Sequence, residues 1–429
     1  MLQPGDKVQL QTEKETIEGM LMPSPKSEIV MIKLSNGYNV GYLRKEVKKV
    51  QLLEKSKALA VPIKKVKAKK GLPTIAVLHT GGTIASKVDY LTGGVSAHFK
   101  AEEFIGMFPE IQQIANIRSV PVANVMSEDM RFSHYQQIAA AIESEIANKI
   151  DGIIIGHGTD TLAVTAAALS FMFVHLPVPV ILVGAQRSTD RGSSDAGMNL
   201  ICAAEFIAKT DFVGVAICMH GSSSDDYCNI YPATKTRKFH TSRRDAFQAV
   251  NDKVIATIDY HTRQIVFNGS YPKKDHLQGP LQLKDAFENK VAVIKVYPNM
   301  SPVLIEALTK EQYKGLVLEG TGIGQAPTNI EENQPNYGAL EQFIKNQGVV
   351  VLTSQCHFGG VNLTVYANGR RLQEIGVISG EDMLTETAYV KLAWLLGNYP
   401  NEKVKELLPL NLKGEIKERL VFTEEIIKK

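Results

Sequence analysis

The chain has 429 residues, of which 44% are hydrophobic and 22% charged, and its formal net charge is +3. This is the composition of an ordinary folded protein with a substantial core, long enough for two or three domains. The mildly basic charge does not by itself argue for nucleic-acid binding, and no apolar run reaches the length of a membrane span. The first residues lack the basic and apolar regions of a signal peptide, and the four cysteines form no regular framework, so we expect a cytoplasmic protein.

Residues 1–54 have the pattern of a small β-module. Three short alternating runs, at residues 7–11, 16–21 and 29–34, are separated by turn residues. Asn36-Gly37 then favours a type I′ hairpin turn into a fourth run. We therefore expect a small SH3-like β-barrel. Both a role in binding a partner or nucleic acid and a role in packing are compatible with this pattern.

Residues 55–71 are predicted to be a basic linker. Seven lysines lie between residues 55 and 70, with no aromatic residue among them. They are either a solvated connector or a contact for phosphate groups. The lack of aromatic residues gives no support to single-strand binding.

From residue 72 the pattern changes to alternating strands and helices, which predicts an α/β fold with parallel sheets. A first domain, residues 72–275, contains strand-like runs at 75–78, 152–155, 179–183, 213–218 and 264–267 and helical patterns at 133–149, 161–173 and 195–209. A linker at 276–290 leads to a second α/β domain at 291–429. Its predicted strands are 291–297, 315–319 and 349–354, and its predicted helices are 301–308, 338–345 and 385–396.

Two apolar strands are each followed by a glycine-rich turn that carries hydroxyl groups. The first turn, residues 80–83, reads Thr-Gly-Gly-Thr, and the second, residues 157–161, reads His-Gly-Thr-Asp-Thr. Ligand sites of open α/β sheets lie at the carboxyl ends of strands, so both turns are expected to face one crevice. There Thr83 is a candidate nucleophile, Thr159 a second hydroxyl and Asp160 a partner for a substrate ammonium group. The alternative is that these residues only cap turns and helices.

Three further patterns bear on chemistry. Lys235 lies among hydroxyl-rich turn residues, and a lysine acts as a base when burial lowers its pKa, although a loop lysine is usually solvated. The glycines at residues 320–324 lack the full spacing of a dinucleotide-binding turn and are better explained as a turn at a strand end. Cys218, His220 and Cys228 lack a second ligand pair at a fitting spacing, so we expect no metal site.

Together these pieces resemble the L-asparaginase family, because residues 80–85 match its first signature and residues 157–161 match its second, in the expected order. The resemblance runs from about residue 72 to the C-terminal region and implies the two-domain α/β fold of that family. It implies that Thr83 is the nucleophile. It also implies that Thr159, Asp160 and Lys235 form a second catalytic group, in which Asp160 holds the α-amino group while the other two assist proton movement.

The same resemblance implies a set of substrate-binding residues. Ser127 matches the serine that contacts the α-carboxylate, and residues 87–98 match a mobile lid in which Tyr90 is the only tyrosine. Family members often carry the lid tyrosine close to the place of Gly94, a few residues further on. Glu128 stands where plain asparaginases usually have glutamine, which favours glutamine as the substrate. The implied reaction is attack of Thr83 on the side-chain amide, with an acyl-enzyme and release of ammonia.

An ordinary asparaginase does not need the N-terminal module. A small barrel fused to this catalytic unit is similar, over essentially the full length, to the D-subunit family of archaeal glutamyl-tRNA(Gln) amidotransferases. That resemblance implies a homodimeric glutaminase subunit that has no cofactor of its own. Its ammonia would pass to an E subunit, where ATP and Mg²⁺ are expected, for the conversion of Glu-tRNA(Gln) to Gln-tRNA(Gln). Two alternatives stay open: a stand-alone asparaginase or glutaminase, and a non-catalytic scaffold that binds tRNA or a partner.

Overall fold

The computed structural model describes residues 2–24, 28–36, 38–55, 68–81, 108–187 and 193–420, and the backbone of residues 87–88 and 95–96. Thr83 and Tyr90 lie outside the described residues, as do most of the predicted linker 55–71 and most of the predicted lid. Within the lid, the two described dipeptides pair as short antiparallel strands.

The N-terminal part of the chain forms a five-stranded antiparallel sheet in the order β4-β3-β2-β1-β5. Its strands are β1 (Lys7–Thr12), β2 (Thr16–Met22), β3 (Ile29–Lys33), β4 (Asn39–Leu43) and β5 (Val47–Glu54). Alternate residues point inward, and Val8, Leu10, Val30 and Ile32 form its buried core. The predicted small β-module is confirmed, with β3 and β4 joined across the predicted hairpin.

The first α/β unit is built on an eight-stranded sheet in the order β9-β6-β10-β12-β13-β14-β17-β18. Its elements, with the small paired strands around them, are β6 (Thr74–His79), β7 (Lys87–Val88), β8 (Val95–Ser96), β9 (Asn116–Pro121), α1 (Phe132–Ala147), β10 (Gly152–Gly156), α2 (Leu162–Met172), β11 (Phe173–Val174), β12 (Pro179–Val183), α3 (Ala196–Lys209), β13 (Gly214–His220), β14 (Tyr227–Pro232), β15 (Thr236–Lys238), β16 (Phe247–Ala249), β17 (Ala256–Asp259) and β18 (Ile265–Phe267).

The five strands from β9 to β13 are parallel, and the last three strands of this sheet are antiparallel. The parallel strands β10 and β12 are fully buried apolar runs because helices cover both faces of the sheet. Helices α1 and α2 lie on one face and α3 lies on the other. The sequence predicted the parallel strands β6, β10, β12 and β13, the edge strand β18 and these three helices. It missed the parallel strand β9 and the antiparallel strands β14 and β17.

The second α/β unit has four parallel strands in the order β20-β21-β22-β23. Its elements, preceded by β19 (Gln282–Leu283), are β20 (Val291–Lys295), α4 (Val303–Lys310), β21 (Gly315–Gly320), α5 (Gln334–Lys345), β22 (Val349–Ser354), α6 (Ala367–Glu374), β23 (Ile378–Ser379), α7 (Thr385–Asn398) and α8 (Asn401–Leu407). Helix α7 packs against the first unit: the ring of Trp394 stacks on that of Phe171 in α2, with 5.8 Å between the ring centroids. The asparaginase-like architecture of two α/β units, expected from the resemblance, is confirmed.

The predicted linker at 276–290 is not a free connector. Strand β19 pairs with β11 of the first unit, and the Trp394 indole donates a hydrogen bond of 2.9 Å to the Lys284 carbonyl oxygen. The domain bounds derived from the sequence stay a prediction. Within the described ranges, no helix is both long and apolar enough to cross a membrane.

Candidate active site

The turns that follow β6 and β10 meet at one edge of the sheet. The two strands pair in parallel, with His79 opposite Gly156. Thr80 then donates two hydrogen bonds to the Gly156 carbonyl oxygen, one from its amide at 3.2 Å and one from its hydroxyl at 2.9 Å. Gly81 has φ of +111°, and a Cβ at this position would collide with the Val125 carbonyl oxygen. A glycine is therefore required at this position, two residues before Thr83 in the sequence.

Ser127 packs against the second turn. It is buried at the start of a short 3₁₀ turn, Ser127–Asp129, and its carbonyl oxygen accepts a hydrogen bond of 2.6 Å from the Thr161 hydroxyl. A Cβ at Gly158 would lie 2.7 Å from Ser127 Cβ, so only glycine permits this approach. The structure thus brings Ser127 to the Thr159 turn, with Glu128 exposed beside it.

Thr159 and Asp160 share one lysine, and that lysine is Lys238. The Lys238 ammonium donates to Thr159 Oγ1 at 2.8 Å and to Asp160 Oδ1 at 2.7 Å. The Lys238 side chain is only 13% exposed, whereas that of Asp160 is 66% exposed. A charged donor held against a hydroxyl and a carboxylate can move a proton through the hydroxyl, while the open side of the carboxylate is free to bind a cation.

Lys235 does not join this group, so the placement expected from the sequence is wrong. Lys235 is fully buried, and its ammonium contacts Asp382 of the second unit, at 2.5 Å from Oδ2 and 2.7 Å from the carbonyl oxygen. Burial lowers the pKa of Lys235, and the Asp382 carboxylate opposes that shift. The physical reason for the error is local geometry: Lys235 lies in the turn before β15 and its side chain reaches Asp382, whereas Lys238 lies on the strand and its side chain reaches Thr159. The only sequence signal for Lys238 was that a second lysine follows Lys235 by three positions.

His157 shapes the second turn as a neutral imidazole. Its Nδ1 lies 2.7 Å from the Gly158 carbonyl oxygen, and its Nε2 lies 2.9 Å from the Thr165 hydroxyl. A carbonyl only accepts, so Nδ1 carries the hydrogen and Nε2 accepts from Thr165. Burial lowers the pKa of His157 to about 4. This histidine therefore fixes the turn that carries Thr159 and is not a titrating group at neutral pH.

A cleft of about 360 Å³ opens beside Asp160 and Lys238. Its walls include Arg237 and, from the second unit, Glu386, which form an ion pair with an N–O distance of 3.0 Å. The second unit therefore borders the candidate site.

The described residues hold no group of three or more histidine, cysteine or acidic side chains that could bind a metal ion. His220 lies opposite Cys228 in the sheet, and its Nδ1 lies 2.6 Å from Asn199 Oδ1, the same oxygen that the Cys228 thiol contacts.

Three family models match the chain: GatD N-terminal domain at residues 2–53, Asparaginase, N-terminal at residues 74–272, and Glutaminase/Asparaginase C-terminal domain at residues 290–408. Among solved structures, the thermostable L-asparaginase from Thermococcus kodakarensis is 31% identical with a TM-score of 0.72, covering 81% of this chain and 100% of that chain. L-asparaginase I from Vibrio cholerae is 28% identical with a TM-score of 0.70, covering 81% and 99%. The asparaginases thus match the two α/β units.

Curated relatives extend the match to nearly the whole chain. The D subunit of glutamyl-tRNA(Gln) amidotransferase from Thermococcus kodakarensis is 46% identical over 411 residues, which cover 94% of this chain and 91% of that protein. The D subunit from Pyrococcus furiosus is 45% identical, covering 94% and 92%, and that from Methanococcus maripaludis is 43% identical, covering 97% and 98%. The chain therefore belongs to the family of glutamyl-tRNA(Gln) amidotransferase D subunits, which carry an asparaginase-type catalytic unit behind a small β-module.

Proposed function

We propose that this chain is the glutaminase subunit of a tRNA-dependent amidotransferase, hydrolysing glutamine to supply ammonia for the conversion of Glu-tRNA(Gln) to Gln-tRNA(Gln). The observation that carries the proposal is the group formed by Lys238, Thr159 and Asp160 at the carboxyl edge of the sheet. Full-length similarity to amidotransferase D subunits supports the assignment to that complex rather than to a stand-alone asparaginase.

In the proposed reaction the Thr83 hydroxyl attacks the carbon of the side-chain amide, and ammonia leaves from the tetrahedral intermediate. Water then hydrolyses the acyl-enzyme to glutamate. Lys238, rather than Lys235, assists proton movement through the Thr159 hydroxyl, because it is the lysine in contact with that oxygen. The α-ammonium group of the substrate pairs with the exposed side of Asp160, while Ser127, which packs against Gly158, contacts the α-carboxylate.

Glu128 and Tyr90 complete the proposed substrate site. Glu128, exposed next to Ser127, favours glutamine over asparagine, and Tyr90 belongs to the lid. The chain itself needs no cofactor under this proposal.

The proposed assembly is a homodimer of this chain with an E subunit. The E subunit binds ATP and Mg²⁺ and amidates the glutamyl group, and tRNA(Gln) reaches the complex through it. The proposed location is the cytoplasm, where the aminoacylated tRNA is made and used.

The test compares L-glutamine and L-asparagine hydrolysis by the full chain, alone and with the E subunit and Glu-tRNA(Gln). We expect glutamine to be preferred, ammonia to appear in Gln-tRNA(Gln) when the complex is complete, and Thr83→Ala to abolish hydrolysis. Strong hydrolysis of asparagine by the isolated chain, unchanged by either addition, would instead identify a stand-alone asparaginase. Hydrolysis that survives Thr83→Ala would reject the site.

A further inference from the structure

Gln186 lies beside Thr159 and has an unused hydrogen-bond donor. It follows β12, whose sheet neighbour β10 leads into the Thr159 turn. Its Oε1 accepts a hydrogen bond of 3.4 Å from the Thr159 hydroxyl. Its Nε2 is buried, and no hydrogen-bond partner for it exists in the described part of the chain.

The backbone around Gln186 is firmly held, so the unused donor is not the result of a loose turn. The amides of Gln186 and Arg187 each donate a hydrogen bond of 3.0 Å to the buried carboxylate of Asp195. The fully buried Asn199 donates to the same carboxylate and, at 3.1 Å, to the Gly184 carbonyl oxygen. A Cβ at Gly184 would lie 2.7 Å from the Thr159 methyl group, so this turn is pressed against the catalytic turn.

The chemistry of the three groups fixes which way the Gln186 amide points. The Lys238 ammonium has only donors, so Thr159 Oγ1 accepts from it and must direct its own proton elsewhere. Gln186 Oε1 is the acceptor for that proton, which requires the amide nitrogen to point away from Thr159. A flipped amide would leave both the hydroxyl proton and Oε1 without partners. Because Lys238 donates to Thr159 and Thr159 donates to Gln186 Oε1, the Nε2 donor of Gln186 is left without an acceptor.

A buried amide donor without an acceptor is unfavourable, and native structures contain few of them. An acceptor that arrives with the ligand removes this cost. We propose that Gln186 has two roles in the reaction: its Oε1 orients the Thr159 hydroxyl, and its Nε2 donates a hydrogen bond to an oxygen of the bound amino-acid amide. This inference rests on the proposed function, since the ligand is the amide that the chain hydrolyses.

Two substitutions separate the two roles. Gln186→Met keeps the approximate size of the side chain but removes both the acceptor and the donor. Gln186→Glu keeps an acceptor for Thr159 and removes the donor. Gln325→Met is the matched control, because Gln325 also has a buried Nε2 without a partner but lies in the second unit, in the turn after β21.

Steady-state hydrolysis of L-glutamine and of L-asparagine by the full chain in the reconstituted amidotransferase tests the proposal, with thermal unfolding of each variant as the folding control. We expect Gln186→Met to lower kcat about tenfold and to raise KM several-fold, as expected for the loss of one hydrogen bond in each role. Gln186→Glu should recover most of kcat while KM stays raised. Gln325→Met should leave both constants within about twofold of the parent, as expected for a substitution away from the site.

A folded Gln186→Met variant with unchanged kcat and KM would overturn this inference and leave the proposed function intact. A Gln186→Glu variant with the same kcat as Gln186→Met would do the same. A parent chain that prefers asparagine would contradict the proposed function but would leave Gln186 testable with that substrate. Hydrolysis of neither amide would overturn both.

Discussion

Lys238 and Thr159 are joined by a hydrogen bond of 2.8 Å from the ammonium nitrogen to the hydroxyl oxygen. The same ammonium reaches Asp160, so one cation links the proposed proton-transfer group to the proposed anchor for the substrate amine. Substitutions at Lys238 therefore bear on chemistry, whereas substitutions at Lys235 bear on the contact between the two α/β units.

Lys238→Met is expected to lower kcat for glutamine by about 10²–10⁴-fold, the usual contribution of a positioned proton-transfer group. Lys238→Arg keeps a cation for Asp160 but cannot give up its proton, so it should remain close to the methionine variant in kcat. Steady-state ammonia release measures both variants. A Lys238→Arg enzyme with parental kcat would show that the charge of Lys238 matters and its proton does not.

Lys235→Met is expected to destabilise the fold by about 3–5 kcal/mol, because it leaves the Asp382 carboxylate buried without its cation. Asp382 is only 6% exposed, and its other oxygen already accepts a hydrogen bond of 2.9 Å from the Lys417 amide. The free energy of unfolding in urea measures this loss. The double variant Lys235→Met/Asp382→Asn should be more stable than the sum of the two single losses predicts, since it removes both charges. Strictly additive losses would contradict a direct coupling of the two residues.

Acid should destabilise the protein through two buried histidines. Burial lowers the pKa of His157 and of His79 from 6.5 to about 4. Between these two values the unfolded chain binds more protons than the folded chain, so the free energy of unfolding falls as the pH is lowered from 6.5 toward 4. Each histidine contributes at most about 3 kcal/mol to this loss.

Urea unfolding at a series of pH values measures that slope. His157→Asn keeps an amide donor for the Gly158 carbonyl oxygen and removes the titrating group. We expect this variant to be less stable at pH 7 but to lose less stability on acidification than the parent. An unchanged pH slope would contradict the assignment of His157.

Gly81→Ala should damage both stability and catalysis. Alanine is strained at the φ of +111° found here, and its Cβ would collide with the Val125 backbone. Gly71→Ala is the matched control, because Gly71 also has a positive φ of +89° but has open space around its Cα hydrogens. We expect about 1 kcal/mol of destabilisation at Gly71, with parental activity, and a larger loss at Gly81 together with a large fall in kcat. Equal effects at the two glycines, measured by thermal unfolding and hydrolysis, would contradict the role of the Gly81 turn.

The sequence predicted the parts of the fold that depend on local pattern. The apolar runs of β6, β10 and β12, each followed by glycine or a helix, were sufficient to predict a parallel sheet and the edge where Thr159 and Asp160 lie. The antiparallel strands β14 and β17 were missed because β14 ends in a proline, β17 is only four residues long, and neither adjoins a two-residue hairpin turn. The small N-terminal sheet was predicted because its strands alternate and Asn36 lies in a tight turn.

The site was harder to predict where it depends on tertiary direction. Lys235 and Lys238 are alike in the sequence, and only the folded path of the chain from the turn before β15 into the strand separates the lysine that meets Asp382 from the one that meets Thr159. Gln186 carried no motif, since its role depends on an unpaired atom that becomes visible only after folding. Thr83 and Tyr90 lie outside the described residues, so their assignments stay predictions.

Lys238 lies in the region matched by the first asparaginase model, but the chain around it forms ion pairs with residues of the region matched by the second. Lys235, in the turn before β15, is bonded to Asp382, and Arg237 within the strand is paired with Glu386. The position of Lys238 therefore depends on both regions, although two separate family models describe them. Residues 68–272 expressed alone would contain every proposed catalytic side chain and still lack the contacts that aim Lys238 at Thr159.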